Sequence, residues 1–169
     1  TAGRTTLNGE GLQHEDGHSQ IIAATIPNCV SWDSTFAYEV VTIVQDGLRR
    51  MVAEQEDVFY YLTLMNENYP HPAMPEGSAA DILKGMYRFR EGAKSKKGGL
   101  RVQLLGSGTI FREVIAAADL LKSDWGVDAC SPPSAVRPSS PRRHVPRRHW
   151  RSSRSWRRRM RCSPMRSDR

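Results

Sequence analysis

The chain changes character after Ala129, and that break constrains its fold more than any other feature. From Cys130 to Arg169 it carries 13 Arg, six of the ten Pro, one acid (Asp168), and no Ile, Leu, Phe, Tyr or Gly. So little apolar surface cannot offset the entropy of ordering a backbone, so residues 130–169 are expected to form a disordered tail. Any core must come from residues 1–129, a length that suffices for one. The break also divides the charge. The formal net charge of +7 resolves into +12 for the tail and −5 for residues 1–129. A basic nucleic-acid-binding domain is therefore excluded, because the basic character lies wholly in the tail. No apolar run approaches the roughly 20 residues that a membrane-spanning helix needs.

The opening Thr1-Ala2-Gly3-Arg4 has neither a charged nor an apolar leader region, so no signal peptide is expected. Cys29, Cys130 and Cys162 are odd in number and fit no zinc or disulfide spacing. A reducing, cytoplasmic setting is the expectation.

Within residues 1–129 short apolar runs alternate with helical periods. Residues 1–20 are polar and read as a loop. Ile21, Ile22, Ile26, Val30 and Trp32, broken by Pro27-Asn28, predict a short buried strand and a turn. Asp33 or Ser34 can cap a helix whose apolar positions are Ala37, Val40, Val41, Val44, Leu48, Met51 and Val52. Asp57 to Met65 is aromatic and lacks polar alternation, which predicts a strand buried on both faces. Three Pro between Asn66 and Gly77 mark a linker. Beyond a short Ile82, Leu83, Met86 segment and a Lys/Gly turn at 94–99, Leu100 to Leu105 predicts a second strand. Gly106-Ser107-Gly108 is its exit, and Thr109 can cap a helix with Ile110, Phe111, Val114, Ile115, Ala118 and Leu121 inward. Gly126 to Ala129 opens a further strand. Strand, helix and strand on both sides of a linker predict an α/β fold in two half-domains.

Chemistry concentrates in Gly9-Glu10-Gly11-Leu12-Gln13-His14-Glu15-Asp16-Gly17-His18-Ser19. Two His four apart suit a metal on a helix, but the glycines oppose a helix there. A solvated loop and an active-site loop with His as proton carrier are the other readings. Gly106-Ser107-Gly108 precedes a helix and so resembles a phosphate cradle, yet it lacks the glycine patterns of known ones; a plain strand-to-helix turn fits better. Asn66-Glu67-Asn68-Tyr69 reads as a strand-end turn, and Cys29 as a buried, inert thiol.

The segment from Thr1 to Ser19, with Thr25-Ile26-Pro27-Asn28-Cys29, Gln45-Asp46-Gly47-Leu48-Arg49 and Tyr60 to Tyr69, closely resembles the homodimeric, bacterial-type pyruvate dehydrogenase family. The likeness continues through Pro72 to Gly77, Gln103 to Gly108 and Asp124-Trp125-Gly126-Val127, covering residues 1–129. It implies a fragment of a much longer enzyme, built from parts of two transketolase-like parallel-sheet domains. Residues 1–65 would be the end of the middle, pyrimidine-binding domain, 66–78 a linker, and 79–129 the start of the C-terminal domain. The implied cofactors are thiamine diphosphate and Mg2+. The implied reaction removes carbon dioxide from pyruvate and passes the acetyl unit to a lipoyl group on dihydrolipoamide acetyltransferase.

By the same resemblance His14 matches the family's active-site histidine beside the cofactor, where an imidazole can donate a hydrogen bond or proton to developing negative charge. Glu15, Asp16 and His18 would support that loop. Gln20 stands where several relatives have His. The family's cofactor-activating glutamate and metal-binding motif lie upstream of Thr1, so no metal ligand is expected here and the isolated chain is expected to be inactive. The tail departs from the family and reads as the product of a shifted reading frame. The competing reading is a non-enzymatic module whose Arg pairs and Trp150 and Trp156 bind nucleic acid. Twelve excess positive charges attract any polyanion, however, so such binding would be accidental.

Overall fold

The computed structural model describes residues 18–65, 67–91 and 100–130. The expectations for residues 1–17 of the loop, for Asn66, for the turn at 94–99 and for residues 131–169 of the tail lie outside these residues; Ser19 and Gln20, read as loop, instead open a helix, and Cys130, read as tail, ends a strand.

The fold is α/β, with two strand–helix–strand units of parallel pairing. In the first, helix α1 (Ser19–Thr25) leads into β1 (Cys29–Asp33), helix α2 (Ala37–Leu48) and β2 (Phe59–Thr63). Strands β1 and β2 run parallel, in register from Cys29↔Phe59 to Asp33↔Thr63. After the short helix α3 (Ala79–Ile82), β3 (Arg101–Gln103), α4 (Ile110–Trp125) and β4 (Asp128–Cys130) form the second unit. Here Arg101 pairs with Asp128 and Gln103 with Cys130. Parallel neighbours need a crossover, and α2 and α4 supply it in each unit.

The core does not respect the boundary between the units. Val30, Trp32 and Ile43 of the first pack with Ile82 and Tyr87, which follow the Pro-rich stretch. Phe36, at the head of α2, stacks on Phe89 at 5.5 Å and meets Phe111 of α4 edge-on at 6.0 Å. Aromatic pairs in this geometry add to the area they bury. The β1–α2 corner is thus the point on which the second unit is seated.

Several expectations are corrected. Ile21 and Ile22 lie in helix α1, not in a strand, and are about two-thirds exposed. The strand begins only at Cys29, beyond the Pro27-Asn28 turn, and all five of its residues are buried. Neither Asp33 nor Ser34 caps α2. Its N-cap is Phe36, and the Glu39 carboxylate turns back to accept the backbone N–H groups of Thr35 (2.6 Å) and Phe36 (3.3 Å). A carboxylate one turn inside a helix can satisfy such donors itself, which is half of a capping box.

The inward face of α2 is Glu39, Ile43 and Gly47, while Val41, Val44, Leu48 and Val52 face outward. At Gly47 an added Cβ would stand 3.4 Å from the Tyr60 ring, so the helix lies close against β2 there. After Leu48 the helix continues as a π-helical turn, Arg49–Ala53. Arg50 then reaches Glu56 at 2.5 Å and the Tyr60 hydroxyl at 2.9 Å.

β2 is not buried on both faces. Only Thr63 is fully covered and Phe59 is exposed, since β1 is its sole paired neighbour among the described residues. In the second unit Leu100, Leu105 and Ile110 are exposed, whereas Phe111 and Ala118 carry the buried face of α4. Thr109 takes the N-cap position without a side-chain cap bond. Gly126 ends the helix in the left-handed conformation (φ +63°), its N–H on the Leu121 and Lys122 carbonyls, the arrangement that favours glycine after a helix. No helix among the described residues is long and apolar enough to cross a membrane.

Candidate functional site

Strands of a parallel sheet point their carboxyl ends toward one edge, and loops leaving that edge carry function in open α/β sheets. Here the ends of β1 and β2 and the exit of β3 converge on one carboxylate. Asp33, the last residue of β1, is 4% exposed. Its Oδ1 accepts the Thr63 hydroxyl at 2.6 Å and its Oδ2 the Ser107 hydroxyl at 2.9 Å. Two residues on, the Thr35 hydroxyl donates to the Gly108 carbonyl at 2.9 Å. Gly108 adopts φ +54°, and a Cβ there would fall 2.6 Å from Asp33 Oδ1. Only glycine permits both the dihedral and the approach. Gln20, in the first turn of α1, donates to the Trp32 carbonyl (3.0 Å) and to Thr63 Oγ1 (3.3 Å).

A second buried network lies on the other side of the corner. Glu39 is fully buried and accepts the Tyr87 hydroxyl on Oε1 at 2.6 Å. The Tyr87 proton is committed to Glu39, so Tyr38 is the donor in the 2.5 Å contact between the two phenols. Burial pushes the Glu39 carboxyl above its ordinary value, against the lowering effect of Tyr87 and the Thr35 and Phe36 amides. Burial likewise raises Tyr87, with the Glu39 charge adding to it. A carboxyl raised on folding favours the folded state most while both states are protonated. Stability should therefore fall as pH rises from the ordinary carboxylate value of 4.5 through the raised folded value. Glu39→Gln, which keeps an acceptor for the two amides, is expected to flatten that fall in urea-unfolding curves taken between pH 4 and 8. An unchanged pH slope would refute it.

Buried polar atoms are normally paired. Yet Ser31 Oγ, Trp32 Nε1, Ser34 Oγ and Gln20 Oε1 have no hydrogen-bond partner among the described residues. All four belong to β1, its exit or the residue braced against it.

Of the sequence-predicted site residues, His14, Glu15 and Asp16 lie outside the described residues. His18 is exposed at the N-cap of α1, its carbonyl accepting the Ile22 N–H at 2.9 Å. Among the described residues no group of three or more His, Cys, Asp or Glu side chains is placed to hold a metal ion. They do not fit a Mg2+ site, and no step through a metal follows from them. The Gly106-Ser107-Gly108 turn is a strand-to-helix connection whose serine is engaged by Asp33. Cys29 is buried and its thiol is pushed up by burial, as an inert thiol should be.

Beyond Asn66, which is outside the description, the stretch read as a strand-end turn does more than turn. Tyr69 donates to the Thr35 carbonyl, Glu67 pairs with Arg112 of α4 at 3.1 Å, and His71 Nδ1 accepts the Ala37 N–H at 3.1 Å. Sequence reasoning missed Glu39, Thr63, Tyr87 and the role of Asp33. An acid or hydroxyl amid apolar neighbours was the available signal, but its partners lie 30 to 74 positions away.

Comparison with known proteins gives the family. The family model "Pyruvate dehydrogenase E1 component middle domain" matches residues 1–72. The chain is 71% identical over 129 residues to the pyruvate dehydrogenase E1 component of Cupriavidus necator, and 60% over 129 residues to that of Pseudomonas aeruginosa. The Escherichia coli protein of the same name is 59% identical over 130 residues. These matches cover about three-quarters of this chain but only 14% of each relative's length. Identity of this order over about three-quarters of the chain leaves one conclusion: the chain belongs to the family of the pyruvate dehydrogenase E1 component.

Proposed function

We propose that residues 1–129 serve as a segment of a thiamine diphosphate-dependent pyruvate dehydrogenase that releases carbon dioxide from pyruvate and transfers the acetyl unit to a lipoyl group. The observation that carries this reading is the 71% identity over 129 residues to a pyruvate dehydrogenase E1 component. Residues 1–65 belong to the middle domain, 66–78 to a linker and 79–129 to the start of the C-terminal domain, while residues 130–169 are a frame-shifted tail without evolved function.

His14 is the catalytic residue of the segment, supported by Glu15, Asp16 and His18. Its imidazole holds or delivers a proton where negative charge develops on the substrate. Thiamine diphosphate, when bound with Mg2+, supplies the electron sink for decarboxylation, and the groups that hold both belong to other parts of the enzyme. The described residues contribute a scaffold. Asp33, Thr63 and Ser107 tie the carboxyl ends of β1 and β2 to the turn after β3. The outward stripe of Val41, Val44, Leu48 and Val52 and the unpaired polar atoms of the β1 corner support a segment that packs against more of the same enzyme. The proposed partners are a second subunit and dihydrolipoamide acetyltransferase, in the cytoplasm.

The test is a chimera in which residues 1–129 replace the matching segment of the Cupriavidus necator protein. The chimera is expected to release carbon dioxide from pyruvate and acetylate a lipoyl group, and His14→Ala within it to lose about 100- to 10,000-fold in turnover. The purified 169-residue chain with thiamine diphosphate and Mg2+ is expected to release none. A folded chimera without activity, or full activity in the His14→Ala variant, would overturn the reading.

A further inference from the structure

Asp33 joins two distant parts of the chain. Each of its oxygens accepts a hydroxyl from a different part of the chain: Thr63 at the end of β2 (2.6 Å) and Ser107 in the turn after β3 (2.9 Å). The Thr63 hydroxyl has one proton and two acceptors in reach. It stands 2.6 Å from Asp33 Oδ1 and 3.2 Å from the Trp32 carbonyl, so the shorter, charge-assisted bond takes it. Its lone pairs then remain for Gln20 Nε2 at 3.3 Å. The donors consequently run in one direction, from Gln20 to Thr63 to Asp33, where the series meets the proton of Ser107. Asp33 and Thr63 are both 4% exposed, and bonds in such surroundings polarise one another and resist rearrangement.

Two contacts keep the turn from sliding past the carboxylate. The Gly108 backbone passes so close that an added Cβ would lie 2.6 Å from Asp33 Oδ1, and the Thr35 hydroxyl holds the Gly108 carbonyl at 2.9 Å. The turn therefore has one seating, and a carboxylate that rotates to follow Ser107 must leave Thr63.

We propose that Asp33 is a positioning residue that couples the seating of the Gly106–Gly108 turn to Gln20, and through Gln20 to the point where the His14-bearing segment joins the fold. Gln20 lies six residues beyond His14 and two beyond His18. The bearing of this coupling on turnover rests on the reading of His14 given above. The coupling itself does not.

Amide hydrogen exchange on the full 169-residue chain tests it without any assay of activity, so either proposal can fail alone. Ser107→Ala is expected to speed exchange by a factor of about 3 to 10 at residues 22–25 of α1 as well as at residues 109–111. Coupling between sites is reciprocal, so Gln20→Ala should speed exchange at residues 109–111 by a similar factor. Ser107→Thr, which keeps the hydroxyl, should restore protection at residues 22–25. The amide of Ile43, in the middle of α2, should stay as slow as in the parent chain throughout. Faster exchange confined to the mutated element overturns the proposal. So does a reciprocal effect that is missing, or acceleration that reaches Ile43 equally and marks a merely global loss of stability.

Discussion

Phe111→Ala is expected to lower the stability of the fold by about 3–5 kcal/mol, the usual range for removing a fully buried aromatic ring. Phe111 has no exposed surface, and its ring meets Phe89 edge-on at 5.4 Å and Phe36 at 6.0 Å. Its loss would leave a cavity between α4 and the β1–α2 corner, lined by rings that cannot collapse far because Phe36 and Phe89 are stacked on each other. Urea unfolding measures the change as a lower midpoint. The two units share this core, so one cooperative transition should move as a whole. A loss below about 1 kcal/mol, or a second transition that leaves β1 and β2 intact, would show that the units do not depend on this contact.

Gly108→Ala is expected to cost about 2–4 kcal/mol, from two separable causes. The residue sits at φ +54°, which L side chains rarely adopt, and its new Cβ would lie 2.6–2.8 Å from the Asp33 carboxylate atoms. Gly126 provides the internal control. It has φ +63° with nothing within 4 Å of the added Cβ, so Gly126→Ala should cost only the dihedral, about 1 kcal/mol. In the pair Asp33→Ala with Gly108→Ala the clash is gone while the dihedral remains. The double variant should therefore be more stable than the sum of the two single losses predicts, by about 1 kcal/mol or more. Equal effects at Gly108 and Gly126, or strict additivity of the pair, would remove Asp33 from the explanation.

Much of the fold was legible from local patterns because those patterns have local causes. Val30 and Trp32 mark a short buried strand, and α4 repeats at a helical period; Gly126, read as the opening of a strand, instead ends α4 in the left-handed conformation. The errors at Ile21 and Ile22 came from a run of apolar residues too short for its period to tell helix from strand. The orientation of α2 is more instructive. The apolar stripe of Val41, Val44 and Leu48, continued by Val52 in the π-helical turn, faces outward, and the inward face of α2 contains a glutamate. Periodicity reports that a helix has an apolar side but not which neighbour that side meets. In a chain that spans 14% of its relatives' length, that neighbour need not be present.

The sequence by itself determined the α/β class, the composition break at Ala129 and, through an unbroken run of family-like segments, the family. These depend on residue order alone. Only the tertiary structure decided that Asp33 gathers Thr63 and Ser107, that Glu39 is buried under Tyr87, and that Phe36 joins the two units. Each of these contacts closes a loop of 30 to 75 residues. A buried carboxylate holds its place by hydrogen bonds that satisfy it, and a linear sequence does not show which distant donors the packing of two sheets will bring within 3 Å of it.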